Sequence, residues 1–445
     1  MEIDTKDINQ EYNNLFYRLG PAFVSDPGFQ NAQMYIQGLL GDAQRKNGWQ
    51  LAEYLGEATP YAMQQFISRG VYDADKLRDI ERTYIADNLG DKDGVMVVDE
   101  TGFIKKGDKS CGVARQYSGT AGRVENCQIG VFLSYASEKG HCPIDRRLYM
   151  PEEWTTDSKR LRGAGVPEWV EFKTKPQLAL RMIKAATEAG VPYRWVTGDS
   201  VYGNSRVIRE WLERKEKSYV LCVSRSEYIN DGNQYTSVGD ILNAIPADGW
   251  FEASCGEGTK GARVYDWYIK EIAAPREEGF QRWLLVRRSQ VDHDDLKAHI
   301  CFAMAKTQGK KLIEIAGTRW TVEMGFEECK QEVGMDEYEF RSYDGWYRHV
   351  TFACIALAFL TVLSSQSMDK KDFQDYHPAG CGLESFKKAA QSARLSKGDV
   401  RKIASHWFNV IRGTVKKTSE YIMNWIAWRR LHQCIAMWYH YQARA

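Results

Sequence analysis

Two carboxylates sit where a folding chain tolerates them least. The run Val95-Met96-Val97-Val98 has the apolar, β-branched character of a buried strand, and it ends on Asp99 and Glu100. Farther on, WVTGDSVYG (195–203) repeats the arrangement, with Asp199 following an apolar strand and flanked by glycines that leave room for a ligand. Burying a charge is costly unless a metal, a cation or a hydrogen-bond network compensates it. Two aspartates at the ends of core strands repel each other unless something positive lies between them. The chain has no cluster of Cys and His ligands, so the matching partner is a hard, oxygen-seeking ion such as Mg²⁺ or Mn²⁺. Either acid alone reads as a structural strand end; the pair carries the signal.

A third acid is expected from TRWTVEMGFEECKQEVG (318–334), a helix-forming stretch. Arg319, Glu323, Phe326, Glu327 and Lys330 recur at helical spacing and share one face. On an isolated helix that pattern is a surface ion-pair ladder; set beside the two aspartates, it offers a further carboxylate. Glu323 is the candidate and Glu327, one turn later, its rival. Glu100 is expected to point to the strand face opposite Asp99, because strand side chains alternate. It is read as supporting or structural.

The elements that must position these groups follow from the patterning. Residues 1–90 read as a helical domain. Within it WQLAEYLG (49–56) and YAMQQFISRG (61–70) resemble a helix-turn-helix, with Gly56 ending the first helix and Thr59-Pro60 opening the second. Tyr61, Gln64, Gln65, Ser68 and Arg69 would then line a recognition helix; the alternative is an ordinary helical hairpin. From residue 91 to 224 strands dominate: GVMVVDE, CGVARQYSG (111–119), CQIGVFLSYAS (127–137) and DRRLYMP (145–151) are expected to be antiparallel neighbours. A helix over roughly 176–188, the Asp199 strand, a helix over 205–215 and the strand SYVLCVS (218–224) complete a mixed sheet flanked by helices, an α/β fold. Residues 225–308 read as a β-rich insertion. Residues 309–366 carry the Glu323 helix and the apolar run 350–363, and 367–445 form a basic helical C-terminal region.

Composition narrows the class. The chain has 445 residues, 43% hydrophobic and 27% charged, which suits a soluble globular protein of one large or several ordinary domains. A net charge of +1 conceals an asymmetry, with 8 Lys/Arg against 13 Asp/Glu over residues 1–90 and 12 against 2 over residues 386–445. The basic end suits a polyanion, or else a solvated helical face. Arg412, Lys416, Lys417, Arg429, Arg430 and Arg444 interleave there with Trp407, Trp425, Trp428 and Trp438. Ten cysteines are scattered singly with no CxxC pair, against a zinc site and against a disulfide framework. The run 350–363 is shorter than the roughly 18–20 residues of a membrane span and reads as a buried helix. A cytoplasmic location is expected.

The ordered set VVDETGF, VTGDSVYG and RWTVEMGFEECK resembles the DDE transposases of bacterial insertion sequences, which have an RNase H-like catalytic core. One branch carries Tyr-x2-Arg-x3-Glu-x6-Lys on its glutamate helix; here Arg319, Glu323 and Lys330 match, while Ala316 stands at the tyrosine position. KKGDKSCGVARQYSGTAGRVENCQIGVF and WRRLHQCIAMWYHYQAR extend the likeness, to a 701-type family, along nearly the whole chain.

The resemblance implies that Asp99 lies on the first core strand, Asp199 on the fourth, and Glu323 on a helix after the insertion. It implies that the three acids hold two Mg²⁺ or Mn²⁺ ions about 3.5–4 Å apart for in-line phosphodiester chemistry. The substrates implied are double-stranded DNA, as terminal inverted repeats and target, with a homodimer in the synaptic complex and cut-and-paste movement. Arg319 and Lys330 are implied phosphate contacts; Lys105, Lys106 and Arg115 are weaker ones, and Arg429 and Arg430 are candidates at the C-terminal end. Trp250, Trp267 and Trp283 lie in the insertion, where related enzymes stack a Trp on a base. Three other readings compete. Gly198-Asp199-Ser200 superficially suits a serine esterase, which needs a His partner. A nuclease that cuts without joining fits the same acids. A captured transposase that only binds DNA would be expected to lack one of the acids, and all three are present.

Overall fold

In the computed structural model, which describes residues 5–231, 234–258, 261–366, 395–413 and 419–442, strand β1 (Val95–Ile104) lies inside a ten-stranded sheet. On one side it pairs antiparallel with the long β3 (Arg123–Ser137). The start of β3 is bordered by β2 (Ala114–Ser118) and the rest by β4 (Gly140–Tyr149), both antiparallel. On its other side β1 runs parallel to β5 (Trp195–Gly198), which is parallel to β6 (Ser218–Val223). A parallel step needs a crossover, and the helix Lys175–Glu188 supplies it. Thr174 and Gln177 close a capping box at its start. Antiparallel strands followed by parallel ones, flanked by helices, are the expected RNase H-like arrangement.

The sheet does not end at β6. Strand β12 (Leu296–Met304) pairs antiparallel with it, followed outward by β11 (Phe280–Arg288), β10 (Gly261–Ile272) and β9 (Phe251–Gly258). Among the described residues, a small hairpin, β7 (Tyr228–Asn230) with β8 (Tyr235–Ser237), lies apart. The residues expected as a β-rich insertion therefore continue the core sheet directly. An unpaired β6 edge would leave a row of backbone donors and acceptors open, and β12 satisfies them.

Among the described residues, five α-helices precede β1. Gly48–Leu55 ends on Gly56 at φ +81°, a left-handed cap that glycine adopts without strain, and Tyr61–Arg69 follows. Pro60, not Thr59, occupies the N-cap, with no side-chain cap bond. The helix Ala74–Leu89 is bolted to β4 through Arg78 to Asp145 at 2.5 Å and Arg146 to Asp75 at 2.6 Å. Part of the N-terminal acidic excess is thus consumed internally. Glu81, buried beside this cluster, has its carboxyl pushed well above the usual carboxylate range by burial, against the lowering charges of Arg146, Arg78 and Arg82.

The apolar run expected as a buried helix is the core of Tyr343–Ser365, buried along almost its whole length and packed on β4 and the N-terminal helices. Helices Lys397–Ile411 and Ser419–Gln442 follow. The nine described cysteines are free thiols, eight of them buried.

Candidate active site

Register brings the two aspartates together. Val98 on β1 is the pairing partner of Gly198 on β5, and the strands are parallel, so Asp99 and Asp199 leave them side by side. Asp199 caps the one-turn helix Ser200–Gly203, its Oδ1 accepting the Val201 N–H at 2.9 Å. That turn lies so close to β6 that a Cβ at Gly203 would overlap the Cys222 carbonyl. Asp99 Oδ1 accepts the Glu100 N–H at 2.8 Å.

Burial dominates the electrostatics. It lifts the Asp99 carboxyl to about 7; the Arg319 charge opposes the rise and the Asp199 charge adds to it. Asp199 is also raised, first by burial and then by the charge of Glu100. Glu100 leaves the opposite face of β1, as alternation requires, and accepts hydrogen bonds from Lys175 Nζ at 2.7 Å and from the Tyr202 hydroxyl. Tyr202 stands on the very turn that Asp199 caps, so Glu100 braces the site from behind.

Glu323 reaches the pair through a guanidinium. The chain passes from helix Gly309–Thr318 into helix Trp320–Val333 at Arg319. Arg319 Nη1 meets Asp99 Oδ2 at 3.1 Å and Nη2 meets Glu323 Oε1 at 2.5 Å. Burial works against the Arg319 charge, but Asp99 and Glu323 outweigh it and raise its pKa. Glu327 is exposed and accepts from Gln331 instead. Among the described residues, no three His, Cys, Asp or Glu side chains are grouped as a metal cage. The fold sets Asp99 beside Asp199 and ties Glu323 to Asp99 through Arg319.

The far face of the Glu323 helix is anchored too. Glu328 pairs with Lys397 at 2.6 Å and His141 at 3.0 Å, and Glu332 pairs with Arg401 at 2.6 Å. Burial would raise the Glu328 carboxyl, but Lys397 and His141 hold it down to about 2. Some of the C-terminal cations therefore serve the fold. Arg412 lies over the Tyr54 ring at 4.7 Å and Trp407 is buried. Arg430 is half-buried on its helix, whereas Lys416, Lys417, Arg444 and the side chains of Arg429 and Trp425 lie outside the described residues.

Other expected contacts are distributed unevenly. Lys330 donates to Thr101 Oγ1 at 2.8 Å, Thr120 Oγ1 at 3.0 Å and the Gly102 carbonyl at 3.2 Å, which pins the Glu323 helix to β1. Lys105 donates to the Tyr338 carbonyl and lies 3.5 Å from the centre of its ring; burial lowers its pKa to about 8. Both lysines are engaged within the chain, while Lys106 and Arg115 are exposed. On the second helix of the helix-turn-helix-like pair, Tyr61, Gln65, Ser68 and Arg69 are exposed and Gln64 is half-buried. Trp267 and Trp283 are only 1% and 6% exposed and both pack into the core, and Trp267 borders the cleft beside Asp199 and Glu323 as well. Trp267 also donates to the Ala253 carbonyl. Trp250 is half-buried, with Arg288 over its ring at 4.2 Å.

A cleft of about 460 Å³ opens at Asp199, Arg319 and Glu323. Its other side comes from the extended sheet, with Tyr265, Arg287, Lys297 and His299, and from Trp320 on the glutamate helix. Sequence patterning did not flag these five; only the strand register reveals that they meet the acids. Ala316 also lines the cleft, where the resemblance expected a tyrosine. Ser200 and His299 both border it, yet among the described residues no hydrogen bond joins Ser200 to a histidine, so a serine hydrolase triad is not assembled there.

Comparison with known proteins gives two family matches that overlap and together cover the acids. A profile described as DDE superfamily endonuclease matches residues 25–230, and one described as Transposase DDE domain matches residues 174–359. A relative from Microchaete diplosiphon, described as "Probable transposase for insertion sequence element IS701", is 23% identical over 338 residues, covering 75% of this chain and 82% of the relative.

Proposed function

The chain belongs to the DDE superfamily of insertion-sequence transposases, and from that premise we propose that it is a metal-dependent enzyme that cleaves DNA at the terminal inverted repeats of its element and transfers the 3′-hydroxyl ends to target DNA. Asp99, Asp199 and Glu323 are the catalytic carboxylates. The observation that carries this is the pairing of Val98 with Gly198, which sets two half-buried aspartates side by side with the Arg319–Glu323 pair against one of them.

The residues present fit a divalent ion. Hard carboxylate oxygens converge at strand ends, burial makes their charge costly, and the cationic Arg319 already answers part of it. Asp99, Asp199 and Glu323 would hold two Mg²⁺ or Mn²⁺ ions, which would supply activation of a water or 3′-hydroxyl and stabilisation of the leaving oxygen.

The protein's own groups do the rest. Arg319, once its acids are otherwise compensated, presents a planar fork to a phosphate, which Lys could not match. Lys330 keeps the glutamate helix in register with β1, and Glu100 with Lys175 and Tyr202 holds the Asp199 turn. Tyr61, Gln64, Gln65 and Arg69 are the candidates for reading the repeats, with Lys106, Arg115, Arg429 and Arg430 for the backbone. The working form on DNA is a homodimer joining two ends, in the cytoplasm and at the nucleoid.

The test uses purified protein, Mg²⁺ and labelled duplex carrying the terminal repeats of the native element, with a second duplex as target. Cleavage and joining are expected, and Asp99→Asn, Asp199→Asn or Glu323→Gln should abolish both while repeat binding persists. Joining that survives in any one variant removes that residue from the set. Cleavage without joining in the wild type makes the enzyme a nuclease.

A further inference from the structure

Sheet register builds a second charged surface facing the acids. In the β11–β12 pair Arg287 lies directly opposite Lys297, and in the β10–β11 pair Trp267 lies opposite Arg287. Alternation then sends Lys297 and His299 out of β12 on one face, the face that Arg287 shares. That face walls the cleft holding Asp199 and Glu323.

Like charges directly opposite on neighbouring strands destabilise a sheet, so this pair carries a cost that the fold only partly offsets. Arg287 has Asp295 at 3.1 Å and the Tyr265 ring at 4.4 Å, but its Nε is buried with no hydrogen-bond partner. Lys297 is exposed and forms neither an ion pair nor a hydrogen bond with the described residues. Deeper in the wall, His299 is 8% exposed and its Nδ1 has no partner. Burial and the charge of Arg287 keep that ring neutral. Asp295 therefore answers only one of the wall's two cations, and among the described residues Lys297 has no anion and His299 Nδ1 no polar partner.

We propose that Arg287 and Lys297 form a clamp for a DNA backbone phosphate other than the scissile one, across the cleft from Asp199 and Glu323, with His299 as its polar floor. This rests on the reading of the site as one that acts on DNA. A clamp on the extended sheet would hold the strand at a second point while the acids and Arg319 address the reacting phosphate, fixing its direction through the site.

The test measures binding alone. Anisotropy of a fluorescent duplex carrying the element's terminal repeat is followed in EDTA over a KCl series for wild type, Lys297→Gln and Lys297→Arg. Lys297 is exposed, so neither variant threatens folding. Lys297→Gln should bind roughly fivefold to tenfold more weakly at about 0.1 M KCl and lower the salt slope by about 1. Lys297→Arg should stay within about twofold of wild type. One methylphosphonate position should weaken the wild type at least as much as Lys297→Gln does, and should weaken Lys297→Gln less than it weakens the wild type. Wild-type affinity and slope in Lys297→Gln overturn the clamp and leave the transposase reading standing. A wild-type protein that does not bind the repeat overturns both.

Discussion

Replacing Asp99 by Asn should change how the metal-free protein's stability depends on pH. Burial, first of all, pushes the folded Asp99 carboxyl from its ordinary 3.8 up to about 7. A raised acid pKa means that the native state holds a proton which the unfolded chain has already released. Stability therefore falls as pH rises from about 4 to about 7, by about 1.4 kcal/mol for each unit, and the loss is complete above the folded pKa. Below about 4 both states are protonated and nothing is lost. Between pH 5 and pH 8 the integrated cost is about 2–3 kcal/mol, and the side chain is only 14% exposed, so solvent screening takes little from it. Asn has no proton to lose. Urea unfolding of both proteins in EDTA at pH 5, 6, 7 and 8 isolates the effect, because groups not coupled to Asp99 cancel in the difference. The Asn variant should gain on the wild type by about 2–3 kcal/mol from pH 5 to pH 8. A difference that stays flat across that range refutes the claim that a desolvated charge waits at the end of β1.

Arg319→Gln should lower the melting temperature of the metal-free protein and enlarge the increase produced by Mg²⁺, since the acids lose their built-in cation; an unchanged Mg²⁺ response in a thermal shift assay contradicts this. Lys330→Met should cost about 1–3 kcal/mol in urea unfolding, because three oxygen partners, two on β1 and Thr120 in the β2–β3 turn, lose their donor. Gly203→Ala should reduce stability by about 1–3 kcal/mol and impair activity, because its methyl group overlaps the Cys222 carbonyl of β6; thermal melting and the cleavage assay read both. Trp283→Ala should destabilise by about 3–5 kcal/mol as a core deletion, and a fully stable variant with weakened DNA binding would return Trp283 to the DNA surface.

Much of this site is legible in the chain because its strongest signals are local. An apolar strand that ends on an acid announces itself at Asp99 and at Asp199, and helical spacing alone puts Arg319, Glu323 and Lys330 on one face. What stays hidden depends on which strand finds which edge. QRWLLVRRS reads as a strand, but its alternation says nothing of β12 joining β6, so the meeting of Arg287 with Lys297 above the acids is invisible until the register is known. Side-chain partners are equally opaque. Lys105 and Lys330 have the charge expected of phosphate contacts, yet each is bonded to oxygens brought near by folding, as are Lys397 and Arg401. Trp267 and Trp283 sit on strands whose faces the sequence does not assign to core or cleft. The Arg287–Lys297 signal was available in principle, since a short connection between two strands fixes a hairpin's register.

The most direct measurement is anomalous scattering from crystals of the protein bound to repeat DNA and soaked in Mn²⁺. Manganese peaks should lie among the carboxylate oxygens of Asp99, Asp199 and Glu323, with Arg319 moved onto a phosphate. Manganese bound elsewhere, with the Asp99–Arg319–Glu323 bridge intact at saturating Mn²⁺, would contradict it.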